Sequence, residues 1–248
     1  MDEFVGKVAL ITGAGRGLGR EIAVAFASLG VAVAANDINP INLDETVNQI
    51  LQVGGNAKAY VFDIARRMPI EGMVAQVLEQ FGQIDILVNH ASVEPHASVL
   101  DMDEWEFHRT LDVNLVGAFF CIQQVGRVMR QHGGGAIVNM ISPTGKGKAH
   151  KGLAAYLVSQ AGLIGLIHAA AKELIPYNIS LNAVCTGVSE ETPFITQGWN
   201  IDTIHQWLQS FPDVKLGDHP DLVSLVVFLC SNAASSLTGQ VISVEFTG

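Results

Sequence analysis

Short runs of apolar, often β-branched residues recur along the chain, and longer stretches of helical spacing separate them. Val8–Thr12 (VALIT), Val31–Asn36 (VAVAAN), Ala57–Phe62 (AKAYVF), Asp85–Asn89 (DILVN), Gly135–Met140 (GAIVNM), Ile179–Val184 (ISLNAV) and Gln240–Val244 (QVISV) read as strands. Helical patterns fall at Leu18–Leu29, Met68–Phe81, Met102–Gln131, Leu153–Leu174 and Asp221–Ser231. The strands are apolar without alternation, as in a parallel sheet covered by helices on both faces. Strand and helix in succession predict an α/β, doubly wound parallel β-sheet of Rossmann type, with about seven strands flanked by helices. A ligand site in such a sheet lies beyond the carboxyl ends of the strands, where the strand order reverses. The rhythm runs through residues 1–248, read as a single domain. The stretch 186–217 interrupts it and is expected to be a substrate-loop or lid insertion.

Composition narrows this picture. Of the 248 residues, 49% are hydrophobic, enough for a large core. The greasiest run, Leu222–Cys230 (LVSLVVFLC), is too short to span a bilayer, so no membrane partner is expected. The opening MDEF is acidic and lacks the basic and apolar regions of a signal peptide, which predicts a cytoplasmic protein. A net charge of −10 argues against a nucleic-acid partner, because affinity for a phosphate backbone rests on clustered Lys and Arg. One local exception is Lys146–Lys151 (KGKAHK). Cys121, Cys185 and Cys230 are widely spaced in apolar surroundings and read as buried thiols rather than disulfides or metal ligands. Glu104 and His108 share a helix face near His96, but no HExxH-like pattern is present, and a charged helix start is the reading; no metal site is expected.

The chemistry begins at Thr12–Gly19 (TGAGRGLG), which follows the first strand and opens the first helix. Glycines there permit positive φ and close backbone approach, and the helix N-terminus offers free N–H groups to a pyrophosphate. Asp37 closes the second strand. A carboxylate at that place accepts both ribose hydroxyls of an adenosine and repels a 2′-phosphate, so NAD is favoured over NADP. Arg16 in the turn is a counter-signal.

The whole chain resembles the short-chain dehydrogenase/reductase family, and within it 3-oxoacyl-carrier-protein reductases. Thr12, Gly13, Gly17 and Gly19 match its TGxxxGxG element; Gly15, Arg16 and Leu18 fall inside the same turn. Asp63, with Ile64 beside it, matches the acid that contacts adenine. Asn89 and Ala91 match two positions of the family's NNAG, here Asn89-His90-Ala91-Ser92. Asn114 matches the active-site Asn, Ser142 the catalytic Ser and Tyr156 the catalytic Tyr, while Thr192 resembles the Thr that contacts the carboxamide. The resemblance implies a carbonyl/secondary-alcohol oxidoreductase, with Tyr156 passing the proton, Ser142 polarising the substrate oxygen and Asn114 supporting a water relay.

The departures from that pattern bear on the mechanism. The family's YxxxK reads Tyr156-Leu157-Val158-Ser159-Gln160, so the Lys that binds the nicotinamide ribose and lowers the phenol's pKa is replaced by Gln160. An amide hydrogen-bonds a ribose but supplies no charge. Oxidation, which needs phenolate, is expected to suffer more than reduction, giving a weak or reduction-biased enzyme. A Lys of the 146–151 loop is an alternative cation, and the same loop suits an anionic substrate tail. His90 either donates to the ribose or packs as a neutral ring, with packing preferred. Ala155, Ser159, Gly162, Gly165 and Ala169 line one helix face and favour a homo-oligomer, dimer or tetramer. The competing class is a non-catalytic NAD(H)-binding protein, a sensor or structural partner.

Overall fold

The computed structural model describes residues 2–142, 151–186 and 219–244. Its seven strands are β1 (Val8–Thr12), β2 (Ala32–Asp37), β3 (Asn56–Val61), β4 (Ile86–Asn89), β5 (Gly135–Ile141), β6 (Ile179–Cys185) and β7 (Val241–Ser243). They form one sheet in the order β3-β2-β1-β4-β5-β6-β7, with every neighbouring pair parallel. The chain therefore reverses direction across the sheet between β1 and β4. There Thr12 stands opposite Asn89, and ligands of such sheets bind just outside that crevice.

Side chains of successive strand residues point to opposite faces, so a strand covered on both sides is apolar throughout. Val8 and Leu10 enter a cluster with α3 (Arg67–Phe81), α5 (Ala118–His132) and α6 (Ala154–Leu174), through residues such as Met73, Val125 and Ile167. Ala9 and Ile11 enter the opposite cluster with α1 (Gly17–Ser28), α2 (Pro40–Gln52) and α7 (His219–Leu229), through Phe26, Ile50 and Val226. The edge strand β3 departs from the expected pattern. Asn56, Lys58 and Val61 are exposed, and a charged residue on an open edge discourages pairing with another chain.

Two further differences from the sequence pattern have local causes. The periodicity passes over α2, whose buried stripe is only Leu43, Thr46 and Ile50. What starts that helix is its cap: Asn39 accepts from the N–H groups of Ile41 and Asn42, and Pro40 sits in the first turn. The single helix expected over Met102–Gln131 is two, α4 (Glu104–Leu111) and α5, joined by a π-helical turn at Asp112–Gly117. At Gly117 a Cβ would come within 2.6 Å of the Ile64 carbonyl, so glycine lets this turn approach the chain beyond β3.

Cys121, Cys185 and Cys230 are buried and form no disulfide, and burial pushes the thiols of Cys121 and Cys230 up to about 12. The helical segment Ala154–Tyr177 is, among the described residues, long and apolar enough to cross a membrane by length and composition. Its apolar character has a packing origin, since Leu163, Ile167 and Ala171 join the sheet core.

Candidate active and dinucleotide site

The nucleotide end is made mostly by backbone. Thr12 closes β1, and its hydroxyl accepts from the N–H groups of His90 at 3.1 Å and Ala91 at 3.2 Å, tying the two sides of the crevice together. Gly13 has φ +69°, and a Cβ there would lie 2.8 Å from the Ala91 Cα. A Cβ on Gly15 would lie 2.7 Å from Asp37 Oδ2, and one on Gly19 would collide with the Gly13 carbonyl and the His90 ring. The turn is thus closed to side chains. Arg16, extended and exposed, caps α1 without a side-chain hydrogen bond, and Gly17 and Leu18 begin the helix. The first-turn N–H groups and the positive end of the helix dipole are left for an anion.

One carboxylate closes β2 and another stands just beyond β3. Asp37 accepts from Gly15 N at 3.0 Å and from Asn39 N at 2.9 Å, which orients it beside the glycine turn. Asp63 accepts from Ala65 N at 3.0 Å and from the Arg109 guanidinium at 2.7 Å. Burial pushes the Asp63 carboxyl up, but Arg109, the Ala65 N–H and Arg66 together outweigh it and hold the group below its ordinary value. Arg109 has no place in the sequence reading, because the pairing joins positions far apart in the chain. Arg20 is likewise missing from it. Its guanidinium donates to the carbonyls of Gly15 and Asn42 and to Glu45, and so braces the turn from behind. The close-approach glycines, the open helix end and the two oriented carboxylates fit an adenine dinucleotide.

The reacting end is made by side chains. Asn89 donates to Asn139 Oδ1 at 2.7 Å, joining β4 to β5. Asn89 Oδ1 and Asn139 Nδ2 are buried without a protein partner beside a small polar cavity that Thr12, Asn114 and Gln160 also line. Asn114 clamps Val93 on both sides, accepting from its N–H at 2.8 Å and donating to its carbonyl at 2.9 Å. It also donates to Ser159 Oγ, which donates to the Tyr156 carbonyl. Gln160 is buried, and its Oε1 accepts from Ser142 N at 2.8 Å, pinning the end of β5 to the first turns of α6. Ser142 and Tyr156 are brought together by this bond across the sheet–helix boundary.

Tyr156 is buried and its phenol pKa is raised. Burial is the main cause and the Glu94 carboxylate the next; hydrogen bonding to Ser142 and Ser92 pulls the other way without overcoming them, and Cys185 adds to the rise. Among the described residues, none of the groups acting on the phenol is a cation. Lys151 is exposed; Lys146 and Lys148 lie outside the described residues, as do Thr192 and the 187–217 part of the expected insertion. Ser92 and Glu94 act on the phenol and were not singled out by sequence reasoning. The signal was an acid placed among apolar and small residues just past the carboxyl end of β4, in the crevice itself.

The remaining candidates resolve locally. The His90 ring packs against Gly19. His108 lies 3.8 Å from Glu104 on the exposed face of α4. The small-residue face of α6 divides in two. Ala155 and Ser159 are buried, and a Cβ on Gly162 would meet Leu115 at 2.8 Å, so this half is close-packed inside the subunit. Gly165 faces open space and Ala169 is exposed.

Comparison with known proteins agrees with this geometry. A family profile described as Enoyl-(Acyl carrier protein) reductase matches residues 13–246. The chain is 36% identical over 242 residues to a 3-oxoacyl-acyl-carrier-protein reductase FabG of Staphylococcus epidermidis, covering 96% of this chain and 97% of the other. A short-chain type dehydrogenase/reductase from Mycobacterium marinum superposes with a TM-score of 0.91 at 32% identity, over 98% of this chain and 96% of that one. An NAD+-bound xylitol dehydrogenase superposes with a TM-score of 0.91 at 31% identity, over 98% of this chain and 99% of that one.

Proposed function

The chain belongs to the short-chain dehydrogenase/reductase family, and we propose that it is an NAD(H)-dependent oxidoreductase that interconverts a carbonyl and a secondary alcohol. The glycine turn and the N-terminus of α1 hold the pyrophosphate, Asp37 the adenosine ribose and Asp63 the adenine. The carboxylate of Asp37, already oriented by Gly15 N and Asn39 N, favours a free ribose over a 2′-phosphate, hence NAD over NADP. One structural relative, a xylitol dehydrogenase, holds NAD+. When bound, the nicotinamide supplies or accepts the hydride.

The protein's own residues handle the proton. Tyr156 gives its proton to the carbonyl oxygen in reduction and takes one from the alcohol in oxidation, and Ser142 polarises that oxygen. Asn114 acts at one remove, holding the Val93 segment and, through Ser159, the first turn of α6. Gln160 stands where the family's Lys is expected. Its Oε1 is committed to Ser142 N, which leaves Nε2 to donate to the nicotinamide ribose. Thr192 and the 186–217 stretch would complete the substrate side, and an anionic substrate tail would meet the exposed Lys151 at the rim. The open half of the α6 small-residue face suits a homo-oligomer.

The single observation that carries the mechanism is the environment of the phenol: buried, within reach of the Glu94 charge, with two hydroxyls and, among the described residues, no cation acting on it. An ordinary Tyr titrates near ~10, so only about one phenol in a thousand is ionised at pH 7. A raised value leaves fewer. Reduction uses the abundant neutral phenol, whereas oxidation waits for phenolate and should rise about tenfold per pH unit from neutrality into the alkaline range.

The test is a thermal shift with NADH, a carbonyl-substrate panel, and a pH–rate profile for alcohol oxidation, each run on wild type and Gln160→Lys. The expected result is NADH binding, measurable reduction by wild type, and a large gain in oxidation near pH 7 for the Lys variant. A plateau already reached by pH 7 in wild type overturns the missing-charge mechanism. Binding with no wild-type turnover, restored by the Lys, supports the second reading, a non-catalytic NAD(H)-binding protein, which the commitment of Gln160 to Ser142 also favours.

A further inference from the structure

Between β4 and α4 the chain crosses the mouth of the crevice and is fastened at two points. At Val93 the Asn114 side chain grips both backbone groups. At Ala97 the N–H donates to the Gly152 carbonyl at 3.0 Å, and Ala97 pairs with Leu153 in a parallel β-bridge. Both anchors converge on the start of α6: Asn114 reaches it through Ser159, and Leu153 immediately precedes it. The residues suspended between them, Glu94 to His96, are therefore held over the turn that carries Tyr156.

Glu94 is the charged residue of this bridge. Its side chain is only 2% exposed, and His96 Nε2 lies 3.2 Å from its Oε1. Among the described residues His96 is its one hydrogen-bond partner, at Oε1. A carboxylate has room for about four hydrogen bonds, so His96 leaves most of that capacity open. Natural folds retain such a group where something else completes it. Its charge also reaches the phenol.

We infer that Glu94 is a specificity-determining residue of the reacting end, accepting a hydrogen bond from a hydroxyl or ammonium on the carbon next to the one that is oxidised or reduced. The substrates this selects are vicinal diols, amino alcohols and their carbonyl partners. A plain ketone or alcohol offers this carboxylate no donor, and a site built around a buried acceptor discriminates strongly against an analogue lacking the donor. A substrate carboxylate beside the reacting carbon is rejected by like charge. This inference rests on the proposed dehydrogenase/reductase reading of the same site and narrows its substrate class.

The experiment uses a matched triplet, cyclohexanol, cyclohexane-1,2-diol and 2-aminocyclohexanol, titrated by ligand-observed NMR into NADH-saturated protein, where an alcohol binds without reacting. Wild type should bind the diol and the amino alcohol about tenfold or more tightly than cyclohexanol. Glu94→Gln, which keeps an acceptor oxygen but no charge, should lose the preference for the amino alcohol and keep part of that for the diol. Glu94→Ala should bind all three within about twofold, and NADH affinity should be unchanged in both variants. Equal binding of the triplet by wild type, or the same ranking in wild type and both variants, overturns the inference. Should Glu94→Ala not fold, Glu94→Gln decides through the amino alcohol alone. Failure of wild type to bind NADH would strike the proposed function instead; the triplet ranking in nucleotide-free protein would still decide the role of Glu94.

Discussion

The two ends of the crevice are built by different means. At the nucleotide end the work is done by backbone within short spans of chain: positive φ at Gly13, close approach at Gly15 and Gly19, and the open start of α1. Both carboxylates there are oriented by N–H groups, and Asp63 also by a guanidinium. At the reacting end side chains converge from β4, the π-helical turn, β5 and α6, and among the described residues the charge acting on the phenol is that of an acid, not a cation. At the first end the open start of α1 leaves N–H groups for an anion. The second is itself negative and keeps its phenol protonated. Binding of the nucleotide and reactivity of the phenol are thus separable properties of one crevice.

That separation can be broken from either side. The largest effect is expected from Tyr156→Phe, which should lower turnover roughly 10²–10⁴-fold while leaving NADH affinity within about twofold, read by steady-state kinetics and a fluorescence titration. Loss of nucleotide binding in this variant would mean that the ends are coupled. Gly13→Val attacks the other end. Its Cβ meets Ala91 at 2.8 Å, and its φ is +69°, so strain on the order of 1–3 kcal/mol should weaken NADH binding about ten- to a hundredfold. Asp37→Ala removes the oriented ribose acceptor and should cost about tenfold in NADH affinity, with a smaller loss or a gain for NADPH.

The smallest effect sharpens the electrostatic contrast. Arg109 helps to hold the Asp63 carboxyl below its ordinary value. A depressed carboxyl contributes stability that is present above the unfolded pKa, near ~4, and lost as pH falls through the folded value. Wild type should therefore out-melt Arg109→Ala by a few degrees or less at neutral pH, and the gap should close in acid. A gap that persists unchanged at low pH would assign the stabilisation to packing of Arg109 rather than to its charge.

Much of the fold was legible because each strand announces itself by a continuous apolar run and each helix by its period. The misses are instructive in physical terms. Helix α2 buries too narrow a stripe to show a period, and only Asn39 and Pro40 mark its start. The π-helical turn comes from tertiary contact, the grip of Asn114 on Val93 and the approach of Gly117 to Ile64, and leaves no mark in a hydrophobic pattern. At the site, Gly13, Asp37, Ser142 and Tyr156 could be read in order along the chain. Arg109, Ser92 and Glu94 could not, because each acts through a partner distant in sequence.

By itself, the order of residues determined the alternation of strand and helix, the glycine turn, the acid at the end of β2 and the identity of the phenol, since these follow from local sterics and hydrophobic period. Only the tertiary structure decided that Gln160 spends its carbonyl on Ser142, that Asp63 is paired with Arg109, and that the charge of the buried Glu94 reaches Tyr156. Charge and hydrogen bonding act over a few ångströms of space, whatever the separation along the chain, and only folding sets those distances.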